Sequence, residues 1–157
     1  MKWVTRERPK IDRIACPWLI RRFIDKDADI LYVPAAEVLR VAKQQAASPF
    51  DIPGVELTHD GPLCSFDALL KKYGLDDPAL AKLATIVRAE DTDTLDQSPQ
   101  APGLLAITLG LGANIRDDQE LLQTGLVIYD ALYTWCQSLT GERHGWYPET
   151  LRKEVSP

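Results

Sequence analysis

The chain has 157 residues, 45% of them hydrophobic and 26% charged, with a net charge of −5. That length suits one domain and buries about 68–70% of the unfolded surface, so no disulfide framework or structural metal is needed for folding. The acidic balance argues against sequence-independent binding of nucleic acid. No run approaches the ~20 apolar residues that span a bilayer.

Cys16, Cys64 and Cys136 are too few and too widely spaced for a C-x-x-C motif or a zinc ribbon. They fit free thiols in a reducing compartment. The N-terminal stretch MKWVTRERPKIDR has no apolar segment of secretory type. The expected location is therefore the cytoplasm.

In chain order, Lys2–Arg6 has the β-branched and aromatic content of a strand. Ile11, Ile14, Ala15, Trp18, Leu19 and Phe23 then recur at helical spacing. Pro17 interrupts that pattern, so either it opens the regular helix or a looser turn precedes it. Ile30–Val33 reads as a buried strand, Pro34 opens a helix to about Gln45, and Val55–Thr58 is a third strand after a Pro/Gly loop over 48–54.

From Ser65 onward the pattern is helical. Ser65 is expected to cap a helix that ends at Gly74, and Asp77-Pro78 opens the next one. Thr92–Pro102 reads as loop and Leu104–Leu111 as a short helix. Asp117 or Asp118 starts a long helix to about Leu139. The expectation is an α+β fold: a small mixed sheet from an N-terminal β-α-β-α-β region, packed with a mainly helical C-terminal half. One domain covers residues 1–157, with its core at about 3–147 and a mobile tail after Trp146.

Two segments could carry chemistry. In His59–Asp67, a strand end leads through a Gly-Pro loop into a helix start. Cys64 and Asp67 share one face there, and a helix N-terminus is a place where a thiol pKa falls. Imidazole, thiolate and carboxylate also form a ligand set for a transition metal. The same residues equally fit a structural arrangement, with Cys64 buried and Asp67 satisfying backbone donors. In Arg88–Asp93, Glu90, Asp91 and Asp93 crowd a helix end, which favours solvation or a cation. Arg88 could hold an oxyanion through its guanidinium fork. Arg21 and Arg22 offer further guanidinium groups, or simply a solvated face paired with nearby acids. No G-x-G-x-x-G, Walker A, G-x-S-x-G or H-E-x-x-H motif occurs, so no nucleotide cofactor is expected.

Four spaced blocks resemble the chromate-resistance family, the C-terminal domain of ChrB regulators. They are Asp12-Arg13-Ile14 with Trp18–Asp25; Phe50–Val55 with His59 and Cys64–Asp67; Ala79–Arg88 with Asp91-Thr92-Asp93 and Gln100–Leu104; and Tyr129–Cys136. The resemblance implies a role in chromate resistance but no particular reaction. Many family members carry a histidine at the position of Arg88 and often a glutamate at that of Asp67. A metal site here would then lose a ligand or exchange it for an anion-binding group. Because the resemblance covers only the C-terminal part of those regulators, DNA binding by this chain alone is not expected.

The resulting expectation is a site for a metal ion or small oxyanion. His59, Asp67, Asp91, Glu90 and Cys64 are its metal ligands, for zinc or iron, and Arg21, Arg22 and Arg88 are its oxyanion-binding groups. A thiol- or metal-dependent cytosolic hydrolase or reductase with Cys64 as nucleophile is the alternative, as is a non-catalytic regulatory module. The expected partner is a small anion or metal and not a membrane; a homo-oligomer is compatible with the sequence.

Overall fold

In the computed structural model, residues 1–147 are described. Strand β1 (Lys2–Arg6) is central, flanked by β2 (Asp29–Val33) and β3 (Ser48–Pro49). Both pairings are parallel, with Val4 opposite Leu31 on one side and Pro49 on the other. The sheet is thus parallel rather than mixed. The reason is that helix α1 (Asp12–Leu19) links β1 to β2 and α2 (Val38–Gln45) links β2 to β3, and such crossovers return each strand in the same direction.

Alternation along β1 sends neighbouring side chains to opposite faces. Trp3 joins the main core with α1, whereas Val4 packs with Val38, Val41 and Ala47 around α2. The third strand lies at 48–49 and not at 55–58. Pro49 is tolerated because β3 is an edge strand. Leu57 forms only a single parallel bridge to Phe50.

Helix α1 starts at Asp12, which places Pro17 inside it. A proline there leaves the carbonyl four residues back without its donor. That carbonyl, of Arg13, accepts the Tyr32 hydroxyl at 2.6 Å instead. The helix then runs on as a π-helical turn over Ile20–Ile24.

Helix α3 (Ser65–Tyr73) is capped by Cys64, one residue before the expected cap, and ends at Gly74 with φ +60°. Asp77 caps α4 (Pro78–Asp91) by accepting from the Ala79 amide at 2.7 Å. Helix α5 (Ala101–Asn114) is longer than the 104–111 expected, and α6 (Asp118–Thr134) continues as a π-helical turn to Leu139. The tail beyond 147 lies outside the described residues.

The helical half closes on the sheet through Trp18, which is fully buried. Its ring stacks on Phe66 of α3, with centroids 6.5 Å apart, and contacts Tyr129 and Tyr133 of α6. Its Nε1 donates to Asp130 at 2.8 Å. Helices α1 and α6 meet so closely at Gly125 that an added Cβ would lie 2.3 Å from Ile14 Cγ2.

Gly125→Ala is expected to destabilise the fold by about 1–3 kcal/mol through overpacking, and thermal denaturation reads this as about 2–4 °C for each kcal/mol. Tyr32→Phe, which strands the Arg13 carbonyl, is expected to cost about 1 kcal/mol in chemical denaturation.

Candidate metal centre

The centre forms where four chain segments meet. Asp12 is the first residue of α1 and is fully buried. Its Oδ2 accepts the Ser65 amide, the first N–H of α3, at 2.6 Å. Its Oδ1 has no partner among the described residues.

Asp51 follows β3 with φ +51°, a left-handed conformation that aspartate tolerates better than most residues. It accepts the Ser65 hydroxyl at 2.9 Å and is paired with Arg6 at 2.9 Å and Arg13 at 3.3 Å. His59 comes from the loop before α3, and its Nε2 lies 2.8 Å from Asp91 Oδ2 at the end of α4. The same nitrogen is 3.9 Å from Asp12 and 3.8 Å from Asp51. One ligand atom each from Asp12, His59 and Asp91 fall within 4.8 Å of one another, the spacing a shared metal ion would need.

Burial is the main reason the Asp12 carboxyl is pushed well above its ordinary range, and Asp91 and Asp51 push it further. The Ser65 amide and Cys64 thiol pull it back. Asp91 rises for the same reasons, burial first and Asp51 second, while His59 draws it down. Asp12 and Asp91 therefore hold protons more readily than free carboxylates, and a bound cation would compete with those protons.

The other expected residues have separate engagements. Asp67 forms a two-pronged ion pair with Arg88, at 2.9 and 2.6 Å, and also accepts the Cys64 amide at 3.1 Å. Cys64 is buried, and burial together with Asp12 and Asp67 pushes its thiol up, opposite to the effect expected of a helix N-terminus. Arg22 pairs with Asp130, and Arg21 donates to the Ala28 carbonyl. Glu90 turns away from Asp91 into the core beside Thr108 and Tyr129, and neither of its carboxyl oxygens has a full hydrogen bond.

Asp12 and Asp51 were absent from the expected ligand set. The signal for Asp12 was present, since Asp12, Ala15, Cys16 and Leu19 share the inward face of α1. Asp51 left no such signal, because its place depends on the loop conformation. His59, with its side chain 41% exposed, links this centre to a cleft of about 920 Å³ that runs beside α3 past Leu57, Leu63 and Lys71.

Fold and site together define an α+β protein with a largely buried carboxylate–imidazole centre at the junction of sheet and helices. The chain belongs to the ChrB family, the chromate-resistance family its sequence blocks resemble: the model for the ChrB C-terminal domain matches residues 3–136, which include all four residues of the centre. It is 37% identical over 134 residues to Protein ChrB of Cupriavidus metallidurans, a match that covers 85% of this chain. The chain spans 40% of that relative's length. No solved structure matches.

Burial lifts Glu90 from its ordinary 4.5 to about 7. The folded state therefore holds a proton that the unfolded chain releases. The stability this provides is complete below 4.5 and is lost as pH rises through about 7. In metal-free protein, Glu90→Gln is expected to match the natural chain in acid and to exceed it by up to about 3 kcal/mol above neutrality in urea titrations.

Proposed function

We propose that this chain is a metal-binding domain of the chromate-resistance response, holding one divalent transition metal between Asp12, His59 and Asp91. The observation that carries the reading is Asp12: a fully buried carboxylate with one unpartnered oxygen, set within 4.8 Å of an imidazole nitrogen and a second carboxylate. Bringing three acids together in a buried place is costly unless protons or a cation neutralise them. A nitrogen–oxygen donor set without thiolate suits zinc or iron(II). The exposed side of His59 would leave a coordination position open toward the cleft.

Cation binding is favoured over oxyanion binding because the neighbouring guanidinium groups are already paired, Arg6 and Arg13 with Asp51 and Arg88 with Asp67. A bound oxyanion would have to break those pairs while facing three carboxylates. Nucleophilic use of Cys64 is disfavoured by burial and by the raised thiol. The three free, buried cysteines support a reducing, cytoplasmic setting.

Untagged protein stripped with chelator and titrated with zinc or iron(II) is expected to bind one equivalent by calorimetry. His59→Ala and Asp91→Asn should each weaken binding at least about tenfold, the lower end of what loss of even an outer partner costs. Arg22→Ala should leave it unchanged. Substoichiometric uptake that His59→Ala does not alter would refute the proposal.

A further inference from the structure

The cleft beside α3 is far larger than a metal ion needs. At about 920 Å³ it has the size of sites that enclose small organic molecules. Leu57, Leu63, Ala68 and Leu75 give it apolar walls. Of the charged groups along it, Asp67 is held by Arg88 and Lys72 by Glu56, so those charges cancel. Asp60, Lys71 and Asp76 are exposed and form no ion pair among the described residues. Their order follows from α3. Asp60 lies at its N-terminal end, because its amide and carbonyl bond those of Leu63, next to the Cys64 cap. Lys71 comes seven residues after Cys64, about 10 Å along the helix. Asp76 lies beyond the Gly74 end. The free charges therefore run negative, positive, negative.

We propose that this cleft binds a short peptide, its amino end at Asp60, its carboxylate at Lys71 and its apolar side chains against the leucines between. Three extended residues span about 10 Å, which matches the stagger of the two charges along α3. A longer peptide would carry its carboxylate past Lys71 toward Asp76, where like charge opposes it. A fatty acid would satisfy Lys71 and the leucines but leave Asp60 unmatched. A lone inorganic anion would leave the apolar walls unused. The first N–H groups of α3 do not compete for the carboxylate, because Asp12 accepts from Ser65 and the Cys64 side chain from Asp67. Recognition uses only the chain's own side chains, so it stands apart from metal binding at the centre.

Calorimetry at neutral pH on the chelator-treated full chain, with the tripeptide Leu-Ala-Leu, is expected to show one site. Its dissociation constant should lie between about 10 µM and about 1 mM, the range open to a ligand of this size. Acetylating the peptide's amine, amidating its carboxylate, Asp60→Asn and Lys71→Ala should each weaken binding about two- to fivefold, as for exposed ion pairs. In Lys71→Glu the preference should invert, so that the amidated peptide binds better than the free acid. Lys43→Glu, on α2, should change nothing, and circular dichroism should be the same for all variants. Absence of saturable binding up to about 10 mM, equal affinity of free and blocked peptides, or an unaltered preference in Lys71→Glu would overturn the proposal. So would decanoate binding more tightly than the tripeptide, which would make the cleft a site for an apolar acid.

Discussion

The hydrogen bond from the Ser65 amide to the buried Asp12 carboxylate, 2.6 Å long, joins the first turns of α1 and α3. Asp12 sits where two helix N-termini converge, and the partial positive charge of both favours an anion there. The bond sets where α3 begins, and so where Cys64 and Asp67 stand and where the preceding His59 loop arrives. Ser65 extends the connection, because its hydroxyl donates to Asp51, which Arg6 of β1 and Arg13 of α1 also hold. Two buried carboxylates joined through Ser65 therefore connect the sheet, its first crossover helix and the first helix of the C-terminal half.

Acids in this region fall into two kinds. Asp67 and Asp51 are matched by arginines and by N–H or O–H donors at hydrogen-bond distance. Among the described residues, Asp12 and Asp91 form ion pairs with His59 only. The arginine at position 88 matters for this division. It binds Asp67 with both prongs, whereas one ligand atom each from Asp12, His59 and Asp91 lie within 4.8 Å of one another.

Much of the fold was legible because its signals are local. The Asp77-Pro78 start of α4, the Gly74 end of α3 and the Asp117 cap of α6 each follow from neighbouring residues alone. Errors arose where tertiary contacts outweighed local preference. Pro17 sits inside α1 because Tyr32, fifteen residues further on, supplies the missing donor. The short strand at Ser48–Pro49 forms because β1 is beside it, although Pro49 reads as loop. The candidate site was legible in part: His59 and Asp91 were expected, whereas the Asp67–Arg88 pair spans 21 residues and Asp51 depends on a left-handed backbone.

The end of α4 shows how differently neighbouring side chains are compensated. Successive residues on a helix point about 100° apart, so Arg88, Glu90 and Asp91 face three environments: the Asp67 pair, the core near Tyr129, and the His59 centre. Only Arg88 brings its own counter-charge. Asp91 also stands at a helix C-terminus, where the backbone dipole adds partial negative charge. Asp12 benefits from two helix N-termini; Asp91 has the opposite helix end and is drawn down by His59 first, then by the Asp12 amide and Arg13. Burial outweighs these partners, since both carboxyls still lie above their ordinary range, and a cation between them would supply the compensation that is missing.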